Sequence, residues 1–587
     1  MNILGVTLGH DTSFALVRDG ELVGILEAER YFRQKRYKLS CINLEPGKHI
    51  SGYQYVDVEE LKSYIGLVSD TWGLEYDAVA VQNQGRRDEY NNLLVLLKEA
   101  GFVFKRSFHV DHHLSHAAMA FYTSPFSEAV VLSYDGLGND GYTIVFEASG
   151  GDGLKYLERN VVEFGRNYSN LGYIIGIQPE ICGTTSGKVM GLAAYGDMRE
   201  DWMSYAMRYV REYRKLPAKR VDGLNNFGKG HRINSVALDE IPDLLSFVSL
   251  GERVEPGSIL GRLTAAFRSN PKQLRMPGPD NKLGQSLVRT IQAAWSQEVL
   301  ELLKRHAGIS RNLCVVGGCA LNGITNYIVQ ETGLFENFHF IPNPSDCGLS
   351  SGAALYVYHA VSGKKFEGYG KYLTPYLGVE AFDLAEISTF KKKYPNAGVS
   401  EEQIPSVLAK LIASDRIVGV IRGRYENGPR ALGNRSILCN PINRNMKDII
   451  NSKVKHREWY RPFAPVVTAA EASKYFTNAC DIPYMSVICY TRPEYRDVLP
   501  SITHVDGSAR LQTVRREQNQ YIYDTLKEFE KITGYPIILN TSFNPKGEPI
   551  LNFCRVGLEM LDNTDMDMVL VGNTFFCKKG REVLLQF

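Results

Sequence analysis

The sequence predicts an α/β protein of two domains, and three observations carry that expectation. The 587 residues exceed what one hydrophobic core supports. Short apolar runs alternate with Gly- and Asp-bearing turns from the first residues, and the same theme returns at Ala129. A further α/β pattern follows a Gly- and Lys-bearing stretch and runs to the end, so a first domain is expected over 1–360, a linker over 361–375 and a second domain over 376–587.

Ile3 to Leu8 reads as a strand, Gly9-His10-Asp11-Thr12-Ser13 as a turn and Phe14 to Arg18 as a second strand. Asp19-Gly20 then turns the chain into a third, Leu22 to Leu26. A meander of this kind opens the actin-like ATPase fold, where the first turn faces a phosphate. Ala129 to Ser133, the turn Tyr134 to Gly141 and Tyr142 to Glu147 repeat the hairpin, which predicts an internally duplicated first domain. Leu283 to Leu303 is patterned as a helix, and Leu313 to Val316 as a buried strand. That strand feeds Gly317-Gly318-Cys319-Ala320-Leu321-Asn322, a glycine turn entering a helix.

Composition narrows the class. Hydrophobic residues make up 44% and charged residues 22%, as in an ordinary globular protein. A net charge of +2 gives no long-range attraction to a polyanion, so no nucleic-acid partner is expected. The ten cysteines form no CxxC pair, which favours buried, reduced thiols over a zinc ribbon or a disulfide framework. The apolar start Met1 to Val6 is too short for a signal peptide, and no apolar run approaches the ~18 residues of a membrane span. A cytoplasmic protein without a membrane partner is expected.

In His112-His113-Leu114-Ser115-His116 the outer histidines stand four apart ahead of the helix former Ala117-Ala118-Met119-Ala120, so both face one side of a helix. Two imidazoles so spaced can share one ion, with Asp135 and Asp346, both on Gly-flanked turns, as candidate carboxylate ligands. Coincidence is the bland alternative for such a pair. Having three of the twelve histidines within five residues shifts the reading toward a metal.

The second domain carries Arg422 to Ser436, then Lys453 to Glu458, then Tyr460-Arg461-Pro462-Phe463, cations set among Gly, Pro and aromatic residues. Arginines fixed in rigid loops suit bidentate recognition of phosphate or carboxylate oxygens, whereas a solvated basic face would not need Pro429, Pro462 and the local glycines. Arg510 adds another turn-borne arginine, and Ile538 to Asn544 ends an apolar strand in Asn, Thr and Ser. Gly183 to Gly191, with Lys188, lacks Walker A spacing. Together with Gly317-Gly318 it suggests a nucleotide held by backbone amides at a helix N-terminus.

Taken together, Gly9-His10-Asp11 with Ser13, Glu27-Ala28-Glu29-Arg30, the HHxSH run, Gly187 to Ala193, Gly317 to Asn322, Gly428 to Ser436 and Leu539 to Asn544 resemble the O-carbamoyltransferases of the nodulation-factor, cephamycin and tobramycin type. The resemblance covers almost the entire chain. It implies an actin-like domain similar to the tRNA threonylcarbamoyl transferase, joined to a domain similar to threonylcarbamoyl-adenylate synthase. Carbamoyl phosphate would bind through Arg430, Lys455, Arg461, Arg510, Asn540 and Ser542, and react with ATP, accompanied by Mg2+, to give carbamoyl adenylate. Iron(II), or another divalent metal, would be held by His112, His116, Asp135 and Asp346. Lys188, Gly317, Gly318 and Asn322 would serve the nucleotide. His10 would take a proton from the hydroxyl of a small-molecule acceptor, a task suited to an imidazole near neutral pH. A homodimer is compatible with this reading.

Tyr37 to Val56 departs from the family pattern as a long insertion, and is a candidate acceptor-binding or lid loop. Two rival activities share parts of the pattern. A tRNA-modifying threonylcarbamoyl transferase would be expected to show a basic face and not to join both domains in one chain. Carbamoyl transfer to a protein thiol, as in hydrogenase maturation, would bring an acylphosphatase domain and paired CxxC motifs that this chain lacks. The complete set of cations argues against a third rival, a non-catalytic actin-like ATPase.

Overall fold

The computed structural model describes residues 1–39, 58–83, 87–178, 184–215, 218–221, 231–234, 238, 240–247, 278–370 and 372–587. Five strands build the first sheet: β1 (Asn2–Thr7), β2 (Ser13–Arg18), β3 (Glu21–Glu27), β4 (Glu75–Gln82) and β5 (Val103–His109), in the order β3-β2-β1-β4-β5. The first three form an antiparallel meander, and β4 and β5 continue it in parallel. The same order recurs in a second sheet, β8-β7-β6-β11-β12, made of β6 (Glu128–Tyr134), β7 (Thr143–Ser149), β8 (Gly153–Asn160), β11 (Asn312–Val316) and β12 (Asn337–Phe340). Two sheets of identical strand order are the expected duplication of an actin-like fold.

Between these sheets runs one shared core. Ile3, Ala15 and Ala80 of the first sheet meet Val131, Phe146 and Cys314 of the second through two helices, His112–Tyr122 and Leu349–Ser362. The second helix is lined with Ser350, Ser351, Gly352, Ala353 and Ala354, all buried, and these small residues let backbones approach closely. An added Cβ at Gly5 would stand 1.9 Å from the Ser350 carbonyl oxygen, and one at Gly352 only 1.8 Å from that of Ser115. Gly352→Ala is therefore expected to cost about 1–3 kcal/mol through overpacking. Thermal melting should read this loss.

The C-terminal half folds around an eight-stranded sheet. Its strands are β13 (Asn396–Gly398), β14 (Val418–Ile421), β15 (Arg435–Cys439), β16 (Ala464–Thr468), β20 (Gln512–Val514), β21 (Ile537–Ser542), β22 (Met568–Val571) and β23 (Thr574–Cys577), ordered β13-β23-β22-β14-β15-β21-β16-β20. Apolar cores cover it, one including Ile421, Ile437, Leu539 and Phe543, another including Val418, Leu438, Leu526 and Ile538. A small sheet of β17 (Phe476–Thr477), β18 (Cys489–Thr491) and β19 (Ser508–Ala509) lies in the same half.

By internal contacts the chain divides into two compact units. One holds Met1–Tyr134, Gly138–Arg159 and His306–Phe587; the other holds Asp135–Leu137 and Asn160–Arg305. The 361–375 stretch falls inside the first unit, where Tyr369 accepts from the Leu22 amide (2.6 Å) and donates to the Gly20 carbonyl (2.9 Å). The second unit is mainly helical, with Phe164–Ile174, Ser186–Leu192, Met203–Glu212 and Lys282–Lys304, plus the antiparallel pair β9 (Ala218–Val221) and β10 (His231–Asn234). Within it the Trp295 indole donates to the Phe164 carbonyl (3.0 Å).

Candidate active site

The predicted HxxxH helix is His112–Tyr122, and its N-terminus is held from outside. Asn139 Oδ1 accepts from the His112 amide (2.9 Å), and Asp140 accepts from the His113 amide (3.0 and 3.1 Å), satisfying donors that a helix start leaves open. His112 and His116 are buried and their rings stand edge to face, centroids 4.7 Å apart. Asp346, on the short turn ahead of Leu349–Ser362, places Oδ1 3.4 Å from His116 Nε2 and 3.8 Å from His112 Nε2. Two buried imidazoles facing one carboxylate at these distances fit a divalent cation. The middle histidine does something else: its Nδ1 meets the Ser133 hydroxyl (2.8 Å) and its Nε2 the Gly141 carbonyl (3.2 Å).

The first hairpin turn reaches the same carboxylate. His10 Nδ1 lies 2.8 Å from Asp11 and 3.4 Å from the other oxygen of Asp346. Burial disfavours a charge on this ring, but Asp346 and then Asp11 outweigh it and hold His10 at about 9. Asp11 is the hydrogen-bond partner of Nδ1 and Asp346 acts on the ring through its charge alone, so proton acceptance belongs to the ring's neutral form. Ser13 locks the turn in place, donating to the Cys347 carbonyl (3.0 Å) and meeting the Ser350 hydroxyl (2.7 Å). The insertion at Tyr37 to Val56 starts beside this turn, with Thr12 N donating to the Tyr37 carbonyl and Gly9 N to that of Leu39 (both 3.1 Å). The rest of the insertion, from residue 40 on, lies outside the described residues.

Gly317, Gly318 and Asn322 follow β11, whose carboxyl end lies beside that of β6. Gly317 has φ +93°, donates to the Pro344 carbonyl (2.8 Å), and would bring a Cβ to 2.1 Å from the Tyr134 oxygen, so glycine is required there. Asn322 caps the helix Gly323–Glu331, accepting from Thr325 N (3.1 Å). In the second unit Lys188 lies on Ser186–Leu192 and donates to the Gln178 carbonyl (2.9 Å). Gly183 falls outside the described residues. Asp135 is the residue after β6 and is grouped with the second unit.

Strand pairing brings five of the six residues expected at carbamoyl phosphate to one end of the large sheet. Arg430 lies on the loop from β14 to β15, Arg461 just before β16, Arg510 just before β20, and Asn540 and Ser542 at the end of β21. The pairings Ser436 with Ser542 and Ala464 with Asn540, and the parallel β16–β20 pair, put those ends side by side. Burial, then the charges of Arg510 and Arg461, push the Arg430 guanidinium well below its ordinary value. Its Nε is buried with no hydrogen-bond partner.

Around this cluster the polar groups are tightly connected. Asn540 Nδ2 donates to the Ala431 carbonyl and to Gln512 Oε1, both at 2.9 Å, while its Oδ1 is buried with no hydrogen-bond partner. The Lys455 ammonium donates to the Ser542 carbonyl (2.8 Å), the Asn544 carbonyl (3.0 Å) and Asn544 Oδ1 (2.7 Å). It thereby shapes the strand end that presents the Ser542 hydroxyl. Gln512 and Asn544 were not singled out from the sequence. Asn544 ends the Leu539–Asn544 motif, which was a usable signal, whereas Gln512 carries none.

Comparison with known proteins identifies the family. The family "Carbamoyltransferase N-terminus" matches residues 2–221 and 259–355, and "Carbamoyltransferase C-terminus" matches 409–578. Nodulation protein NolNO of Sinorhizobium fredii is 31% identical over 98% of this chain and 80% of its own length. Nodulation protein U of Rhizobium tropici is 30% identical over 93% and 91%. Among solved structures, full-length HypF in the phosphate- and nucleotide-bound form is 13% identical over 62% of this chain and 47% of that one, with TM-score 0.30. Matched in both halves by one family, and aligned along nearly all of its length with nodulation proteins, the chain belongs to the carbamoyltransferases and is a carbamoyltransferase.

Proposed function

We propose that residues 376–587 convert carbamoyl phosphate, water and ATP into carbamoyl adenylate, phosphate and pyrophosphate, and that residues 1–360 pass the carbamoyl group to a hydroxyl of a small-molecule acceptor. The observation that carries this reading is the Arg430, Arg461 and Arg510 cluster, in which a partly buried guanidinium with a buried Nε sits among like charges on loops at one end of the sheet. Such a charge is costly by itself and is relieved by a dianion, so the cluster suits a phosphate. Asn540 and Ser542 would orient the carbamoyl end, and Lys455 would keep their strand end in shape. Lys188, Gly317, Gly318 and Asn322 are proposed to serve the nucleotide.

His112, His116 and Asp346 would hold a divalent cation, iron(II) by the family resemblance, with Asp135 as a fourth ligand. Asp135 directly follows β6, whose Ser133 already meets the His112–Tyr122 helix through His113, and this supports its place there. When bound, the cation supplies positive charge that fixes and polarises an adenylate phosphate. His10, in its neutral form, would take the proton of the acceptor hydroxyl. Tyr37 to Val56 is proposed to shape the acceptor site, supported by its start at the His10 turn.

The test is transfer of isotopically labelled carbamoyl phosphate to a panel of hydroxyl-bearing small molecules, run anaerobically with iron(II). Label should reach an acceptor only when ATP is present. Transfer at the same rate without ATP would overturn the adenylate reading.

A further inference from the structure

A buried charge network lies outside the residues assigned above. Glu27 ends β3, and Arg30 lies on the short helix Ala28–Phe32; both are buried. Arg30 Nε pairs with Glu27 Oε2 (2.5 Å), Nη2 turns to the distant loop after β14, donating to the carbonyls of Glu426 (2.6 Å) and Gly428 (2.9 Å), and Nη1 donates to that of Ile550 after β21 (3.3 Å). Glu27 Oε1 accepts from the Gly428 amide (2.6 Å). The guanidinium also stacks 4.7 Å from the Tyr425 ring centroid, whose hydroxyl accepts from the Glu27 amide (3.0 Å) and donates to the Ile25 carbonyl (3.1 Å).

The far side of this loop is gripped as firmly. Glu426 Oε1 accepts from the amides of Leu432 (2.8 Å), Asn434 (2.7 Å) and Arg435 (3.1 Å). Arg435, fully buried, donates to the Arg422 (2.8 Å) and Gly423 (2.9 Å) carbonyls and to Asn552 Oδ1 (3.0 and 2.8 Å). Gly428 has φ +97° and would bring a Cβ to 2.4 Å from the Pro342 oxygen. Residues 425–428 and 432–435 are thus clamped, and the span between them is Pro429-Arg430-Ala431.

We propose that Glu27 and Arg30 are positioning residues for carbamoyl phosphate: they set the loop that aims Arg430, while touching no substrate themselves. The inference rests on the reading that Arg430 binds carbamoyl phosphate. Physical chemistry favours a geometric role, because a buried ion pair adds little net stability over a well-packed apolar pair, whereas its directional donors and acceptors fix backbone atoms to within tenths of an ångström. Arg30 and Glu27 satisfy two carbonyls and one amide of the segment immediately before Pro429 and Arg430, so a change there shifts the Arg430 side chain without altering its chemistry.

The test compares Glu27→Gln and Tyr425→Phe with the unaltered full chain, reading steady-state pyrophosphate release against carbamoyl phosphate and against ATP. Tyr425→Phe deletes a single oxygen from the same clamp and keeps the test standing if the charge change costs the fold. The KM for carbamoyl phosphate should rise roughly tenfold or more in Glu27→Gln and severalfold in Tyr425→Phe, corresponding to one or two lost hydrogen bonds, with the KM for ATP and the bound divalent metal unchanged. A role confined to stability would lower the melting temperature and the active fraction and leave that KM in place; that result in the folded variants overturns the proposal. The underlying reading fails separately, if the unaltered protein shows no dependence on carbamoyl phosphate or Arg430→Ala behaves as wild type.

Discussion

Replacing Arg430 by alanine is expected to lower carbamoyl-phosphate-dependent pyrophosphate release by roughly 100-fold while leaving the protein at least as stable as before. The loss follows from removing about two charge-assisted hydrogen bonds to a phosphate, together about 3 kcal/mol. Stability moves the other way because Arg430 is desolvated and repelled by Arg510 and Arg461, and alanine removes both penalties. Initial rates at varied carbamoyl phosphate, read beside a thermal melt, check both signs. A variant that loses activity only because it unfolds contradicts the assignment.

The second large effect is expected at Asp346. Asp346→Asn keeps the side-chain shape but removes the charge facing His112, His116 and His10, so divalent-metal affinity should fall by about two orders of magnitude. Carbamoyl transfer to any acceptor should fall with it. Pyrophosphate release should persist, because the arginine cluster lies in the other half of the chain and is built on a different sheet. Metal content by elemental analysis, read beside the two half-reactions, checks this. Equal loss of both half-reactions would show that one site performs both.

Much of this arrangement is legible in the residues. The opening hairpins were readable because each apolar run is short and bounded by Asp-Gly or Gly-His-Asp turns, and their recurrence at Ala129 foretold the repeated strand order. His112 and His116 could be paired because spacing and Ala117 to Ala120 specify one helical face. Their neighbour His113 could not be assigned, since its hydrogen bonds come from Ser133 on β6 and Gly141 on the loop that follows. The capping of that helix by Asn139 and Asp140 was hidden for the same reason.

Less legible were the close backbone contacts and the long-range clamp. Gly5 and Gly352 look like ordinary glycines until two helices and a strand are stacked. The motif Glu27-Ala28-Glu29-Arg30 marks the family, yet nothing local says that its ions grip Glu426 and Gly428, 396 and 401 residues away. Contact grouping depends on packing in the same way. Residues 361–375 carry linker composition, but the break in contacts sets apart Asn160–Arg305.

The most direct measurement is pyrophosphate release by the purified protein with carbamoyl phosphate, ATP, Mg2+ and iron(II) under anaerobic conditions, with and without hydroxyl acceptors. Pyrophosphate should appear only when carbamoyl phosphate is present and should fall roughly 100-fold in Arg430→Ala. Folded protein that releases none in either condition, or releases it equally without carbamoyl phosphate, would contradict that expectation.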